Sequence, residues 1–312
     1  MGNSESIMLD TDNTKNILNN NNFFNDKYNL VPSFPGFEYH ILDSTTLKRK
    51  FSVDDKVPNY IDLRTNFPQI LNTGQFAFNP IVSVIYLLHY QLLRNNLPVF
   101  PPSSMYIFRH ITFYKQVKSL FSFESIFKSI KDNGFCSENE FNTNSANLTS
   151  DIPGKISERA NAFKFIEVYR VEPNLDTIKI LLSNKYPLIV GFSVYYDFNK
   201  IESYMWMPDI NIDKKLGGLS GVLVGYIEDR KMFIMASTFG QSFGTSGYLL
   251  VPYDYIINTN LTFEIYTLDF IPGRVDGYIN QRKEIINLEN NVDLHIEHTK
   301  KFKQDQFGGL FQ

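Results

Sequence analysis

The side chains able to do covalent chemistry are few. Cys136 is the chain's only thiol, and the histidines are His40, His89, His110, His295 and His298. One cysteine excludes an internal disulfide framework and any multi-cysteine zinc site, and it fits a reducing compartment. In the tail, His295-x-x-His298, flanked by Asp293 and Glu297, has the spacing to clamp a metal from one helical face. Exposed tails contain such pairs by chance, so no metal and no cofactor is expected. Ser220 stands in GGLSG, where the second glycine follows at once and breaks the G-x-S-x-G spacing of a nucleophile elbow. GQSFGTSG lacks the lysine of a phosphate loop. Asp209 and Asp213, in MPDINIDKK, read as a solvated loop rather than a cation site. Met1-Gly2-Asn3-Ser4-Glu5-Ser6 fits M-G-x-x-x-[ST], which makes Gly2 a candidate for N-myristoylation. One acyl chain holds a bilayer only marginally, so a second contact is needed, for which Lys300, Lys301 and Lys303 are candidates.

The elements that position these residues come from a chain of 312 residues, 43% hydrophobic and 20% charged, which has the apolar material for a sizeable core. A net charge of -3 argues against a dedicated nucleic-acid binder. No apolar run reaches the roughly 18 residues of a membrane span, and the acidic start does not read as a secretory signal. Many Phe, Tyr, Asn, Ile and Lys residues beside a single Trp suggest AT-rich coding, as in an AT-rich protist, bacterium or large DNA virus.

Residues 1–54 read as a flexible, Asn-rich arm followed by the extended strap PSFPGFEYH. The body, 55–272, is mainly helical over 55–185 and mainly β over 186–272, and 273–312 is a C-terminal extension. The strongest helix runs from Pro80 to about Asn96 and is apolar around most of its circumference, as a helix buried in the middle of a domain must be. Asn79 reads as its N-cap and Pro80 as its first residue. Further helices are expected around Pro102–Phe123 and Pro173–Ser183. YPLIVGFSVY, GVLVGYIEDRKMFIMAS and SGYLLVPYDYI read as strands. Helices first and strands later predict an α+β protein.

The order of these segments carries a resemblance. VPNYIDLRTNFPQILNTGQFAFNPIVSVIYLLHYQL resembles the start of a mature papain-like cysteine peptidase of the bacterial and viral branch. There a V-D-L-R segment leads to D-Q-G-Q-L-G-S-C-T-A-N-A and a long helix. PPSSMYIFRHITFY is similar to P-S-x-x-F-I-Y-Y, GFCSENEF to G-x-C-x-E-x-x-W, and GGLSGVLVGYIED to G-G-H-A-V-L-x-V-G-Y-D-D. ASTFGQSFGTSGYLLVPYDYI is similar to N-S-W-G-x-x-W-G-x-x-G-Y. The likeness spans roughly residues 57–272 and implies the two-lobed papain-like fold.

A papain-like site needs a thiolate at the start of the central helix, a histidine, a side chain to orient it and an oxyanion donor. The resemblance puts Asn79 at the nucleophile, Thr73 at the oxyanion glutamine, Leu219 at the histidine and Ser237 at the orienting asparagine. All four family side chains are replaced. Cys136 falls where the family's cysteine is structural, and Phe239 and Phe243 replace tryptophans as packing residues. The expectation is a pseudopeptidase acting as a structural or interaction protein, with a virion component of a large DNA virus as one setting. Its partners would be proteins. Its location would be a reducing cytoplasm, a membrane reached through an acyl chain, or a virion. Phe23, Phe24, Phe302, Phe307 and Phe311 are the aromatic partner-binding candidates of the two arms. The alternative is an active cysteine peptidase, or another hydrolase, with a displaced site.

Overall fold

The helix at Asn79–Arg94 (α1) organises one half of the molecule. Thirteen of its sixteen residues are buried, from Asn79 through Leu92, so it packs on every side. The computed structural model describes residues 28–33, 40–42, 46–47, 57–72, 76–111, 121–271, 273–275 and 278. The chain divides into two units, Met1–Asp269 and Phe270–Gln312. In the second unit, Arg274 N and Val275 N donate to the Ile271 carbonyl at 2.9 and 3.1 Å and close one turn.

Around α1 stand Ser104–His110 (α2), Phe123–Asn133 (α3) and Gly154–Asn161 (α4). The single helix expected over Pro102–Phe123 is corrected: α2 ends at His110 and α3 begins at Phe123. Each has its own serine cap. Ser103 Oγ accepts from Tyr106 N at 3.0 Å and Ser122 Oγ from Ser125 N at 3.3 Å. α3 stops at Gly134, whose φ of 71° favours glycine; a Cβ there would run into the Ala160 backbone of α4. Aromatic rings fill this half, with Phe78 4.7 Å from Phe108 and Phe127 5.3 Å from Tyr266.

The other half is a mixed sheet of His40–Leu42 (β1), Tyr60–Asp62 (β2), Ile166–Val171 (β3), Leu188–Val194 (β4), Gly217–Ile227 (β5), Met232–Ala236 (β6), Tyr248–Pro252 (β7) and Thr262–Phe270 (β8). Its order is β1-β3-β8-β4-β5-β6-β7, with β2 also paired to β5. β4 is buried along its whole length, as a strand covered on both faces must be. Leu175–Ser183 (α5) lies over one face, its cap supplied by Asn174, whose Oδ1 accepts from Thr177 N at 3.1 Å. The tail of the strand read as SGYLLVPYDYI is instead the short helix Tyr253–Ile257 (α6).

α1 joins the two halves. Gln91 Nε2 donates to the Leu268 carbonyl of β8 at 2.7 Å, and Tyr90 Oη to the Lys185 carbonyl at 3.2 Å. Nearer its start, α1 meets the first residues of β5 through Ser83 and Ser220.

Candidate active site

At the start of α1 the cap is Phe78, and Asn79 is the first helical residue with Pro80 second. Asn79 therefore lies inside the helix and not at its cap position, which corrects the expected role. Its Oδ1 accepts from Thr238 Oγ1 at 3.0 Å, and Asn79 is 1% exposed. A partner 159 positions away has taken the group that would have turned back on the helix. Thr238 is the residue after Ser237, so the structure brings the Asn79 and Ser237 positions together.

Leu219 reaches the same junction by its neighbour. Ser220 Oγ lies 2.8 Å from Ser83 Oγ, one turn into α1, and Ser83 Oγ also donates to the Asn79 carbonyl at 3.2 Å. Side chains alternate along a strand, so Ser220 turns to α1 while Leu219 turns to the other face. There it belongs to the buried apolar cluster of the β half with Val190, Phe192 and Leu223. Ser237 is held by its main chain: its N–H donates to the Gly247 carbonyl at 2.9 Å, and its carbonyl accepts from Tyr86 Oη at 3.0 Å. Thr73 lies outside the described residues.

Chemically this is a neutral junction. An amide has no lone pair of thiolate strength, leucine accepts no proton, and the three hydroxyls of Ser83, Ser220 and Thr238 have hydroxyl or amide partners rather than a base. Tyr86 Oη is spoken for as well, accepting from Leu71 N at 2.8 Å, and burial raises its pKa further above the ordinary tyrosine range. Cys136 is buried elsewhere, its carbonyl accepting from Ser103 N at 2.9 Å. Burial, with Glu140 and Glu138 adding like charge, pushes its thiol up to about 12. His89 sits well along α1 and is held below the ordinary imidazole range by burial. His110, whose Nδ1 is 2.8 Å from the Tyr106 carbonyl, is lowered by burial first. Among the described residues no three His, Cys, Asp or Glu side chains gather to hold a metal. Asp209 and Asp213 close their own turn instead: Asp213 Oδ2 accepts from Asp209 N at 2.9 Å. Phe239 and Phe243 pack on each other, ring centres 5.0 Å apart, and both on Phe198.

Sequence reasoning missed what fills the junction. Residues 28–33 run between the two halves as an extended segment, with Asn29 bridged in parallel to Gly218 and Leu30 to Phe121. Leu30 N donates to the Gly218 carbonyl at 3.2 Å, Val31 N to the Phe121 carbonyl at 2.8 Å, and Asn29 Nδ2 to the Ala77 carbonyl at 2.8 Å. Asn29 thereby spans from β5 to the approach to α1. A Cβ at Gly218 would sit 2.9 Å from the Leu30 carbonyl carbon and closer still to its oxygen. The segment ends on Ser33, whose N–H donates to Glu264 Oε2 at 3.2 Å and whose Oγ accepts from Glu124 N at 3.2 Å. Burial raises the pKa of Glu264, against hydrogen bonds from Ser33 and Tyr266 that pull it down. The adjacent glycines Gly217-Gly218 were the available signal, because paired glycines mark close backbone approach. A separate cavity of about 290 Å3 is lined by Arg170, Pro173, Thr259, Thr262 and Glu264 among others. Asn79, Leu219 and Ser237 do not border it.

A central helix meeting a sheet at a polar junction is a shared architecture. The structure superposes on xylellain, a cysteine protease from Xylella fastidiosa, with a TM-score of 0.68 at 20% identity, over 78% of this chain and 96% of that one. The fold is papain-like. Procathepsin L 3 of the Tenebrio molitor larval midgut aligns with a TM-score of 0.60 at 15% identity, over 80% of this chain and 78% of that one. In sequence, an uncharacterized peptidase C1-like protein of Acanthamoeba polyphaga mimivirus is 25% identical over 184 residues, 53% of this chain and 58% of the relative. The match thus spans less than two thirds of that relative's length. No family model matches the chain. The solved structures thus share the fold, and the viral relative adds a likeness in sequence over part of the chain.

Proposed function

We propose that this chain is a papain-like pseudopeptidase that acts through its shape and surface. The observation that carries the reading is the hydrogen bond from Thr238 Oγ1 to Asn79 Oδ1 at the start of the central helix. There a papain-like enzyme needs a thiolate, which the positive end of the helix would help to ionise. A neutral amide held by a hydroxyl does not supply one, and Leu219 supplies no base. Residues 28–33 add to this by occupying the junction, where an extended substrate would have to lie.

The partners are proteins, and an assembly such as the virion of a large DNA virus is the setting we favour, since the viral relative and the AT-rich composition point the same way. Gly2 acylation would add a membrane contact; Gly2 lies outside the described residues, as do Phe23, Phe24, Phe302, Phe307 and Phe311. Among the described residues no helix is long and apolar enough to cross a membrane.

The test is turnover. The purified chain should leave fluorogenic peptide substrates uncut, and a thiol-directed active-site probe should not label the start of α1. Hydrolysis that survives purification and disappears in Cys136→Ser would overturn the reading. Affinity capture from the native source should recover protein partners, and intact mass should show one fatty-acyl group on Gly2.

A further inference from the structure

One carboxylate oxygen in the β half lacks a partner. Glu264, on β8, is 5% exposed, and its Oε2 accepts from Ser33 N at 3.2 Å and from Tyr266 Oη at 3.1 Å. Its Oε1 is buried and meets no donor. A buried acceptor left bare is costly, most of all on a group that carries charge. A donor brought to it is therefore strongly favoured. Glu264 also lines the cavity of about 290 Å3. Buried Val171 and Ile265 complete the floor beside it, while Arg170, Pro173 and Thr259 are exposed and form the mouth. That volume lies at the small end of ligand pockets, so the occupant is small.

The charges of the lining set the chemistry of that occupant. Among the described residues Arg170 forms no ion pair. Burial raises the pKa of Glu264 and Arg170 pulls it the other way, so floor and mouth lie within electrostatic reach of each other. A metal ion is a poor fit, because no three His, Cys, Asp or Glu side chains gather among the described residues. An N–H cation suits the bare oxygen, and a carboxylate suits the planar fork of the arginine. We propose that this cavity binds a small zwitterionic amine, such as a free amino acid, with its ammonium on Glu264 Oε1 and its carboxylate on Arg170. The site is distinct from the junction between the halves. Leu30 lies against Gly191 and Gly218, and neither glycine lines the cavity. Binding here does not depend on the loss of catalysis.

The test is calorimetric titration of the full chain with glycine, γ-aminobutyrate and ε-aminocaproate, which set the two charges at three separations. Butylamine and butyrate serve as half-ligands, each lacking one charge. At least one zwitterion should bind with a Kd below about 1 mM, and about tenfold or more tighter than either half-ligand. Glu264→Gln keeps the shape and removes the charge, and should weaken that zwitterion about tenfold. Arg170→Met should do the same, and because Arg170 is exposed it decides the matter should Glu264→Gln fail to fold. No binding by any of the three zwitterions overturns the proposal and leaves the cavity to water. Butyrate binding as tightly as the zwitterion makes this an anion site on Arg170 alone and overturns it too. Affinity that survives in either folded variant rejects the two-ended contact.

Discussion

Gly218→Ala is the sharpest probe of the segment between the two halves. The added Cβ would stand 2.9 Å from the carbonyl carbon of Leu30, inside the 3.0 Å that real Cβ atoms respect, and backbone cannot rotate away. Five hydrogen bonds fix residues 28–31: Leu30 N to Gly218 O, Gly218 N to Tyr28 O, Val31 N to Phe121 O, Phe121 N to Asn29 O and Asn29 Nδ2 to Ala77 O. At about 1 kcal/mol net each they contribute about 5 kcal/mol, and burial of Leu30 adds about 2 kcal/mol. Overpacking costs about 1–3 kcal/mol and falls on the bonds that seat the segment. The alanine should therefore loosen the segment rather than unfold the body. Hydrogen exchange at the amides of Leu30, Val31 and Phe121 should quicken about fivefold or more, the factor that a loss of about 1 kcal/mol sets. The thermal midpoint should fall by about 2–4 °C. Gly154→Ala is the control, since a Cβ there meets nothing within 4 Å. Unchanged exchange in Gly218→Ala would refute the seating, and a loss above about 4 kcal/mol would make the segment part of the core instead.

Three further outcomes follow from the same contacts. Thr238→Val removes the donor to Asn79 Oδ1 and should cost about 1–3 kcal/mol, read as a lower denaturant midpoint at constant slope; a change below about 0.3 kcal/mol would count against a buried bond. Ser83→Ala and Ser220→Ala should each destabilise by about 1 kcal/mol, whereas the double variant should lose less than their sum, because the two hydroxyls are partners. Glu264→Gln tests a titration: burial raises the folded-state pKa of Glu264, so the stability it lends is full below the ordinary glutamate pKa and is lost as pH rises through the higher folded value. The thermal midpoint of the Gln variant should gain on the wild type from pH 4 to pH 8, and parallel curves would refute this.

How much of this was legible varies by element. α1 announced itself because its apolar residues cover all sides and Pro80 fixes its start. β4 to β7 did so through runs of Val, Ile and aromatic residues. β8 did not, because Thr262, Glu264, Thr267 and Asp269 dilute the apolar residues of TFEIYTLDF. Yet Glu264 and Thr267 are buried, Thr267 Oγ1 donating to the Pro187 carbonyl at 3.0 Å and Glu264 accepting from Ser33 and Tyr266. Polar residues satisfied by tertiary partners look like surface residues in one dimension. α3 was missed although Ser122 and Gly134 frame it, because the preceding apolar stretch suggested one longer helix.

The candidate site was legible as positions and illegible as contacts. Resemblance located Asn79, Leu219 and Ser237 by counting, but no count reveals that Thr238 binds Asn79 or that Ser220 binds Ser83, since each bond joins residues more than a hundred positions apart. Those bonds bear on the proposal in their own right. A thiolate–imidazolium pair joins two lobes through groups that titrate, so its strength depends on pH. The junction here is Asn79, Thr238, Ser83, Ser220 and the Tyr86 hydroxyl, none of which changes charge between pH 5 and pH 8. Such a junction holds its shape across that range and gives nothing to a reaction that must move a proton. Constancy of shape is what a chain acting through its surface requires, and it is the property in which this junction differs from a working catalytic pair.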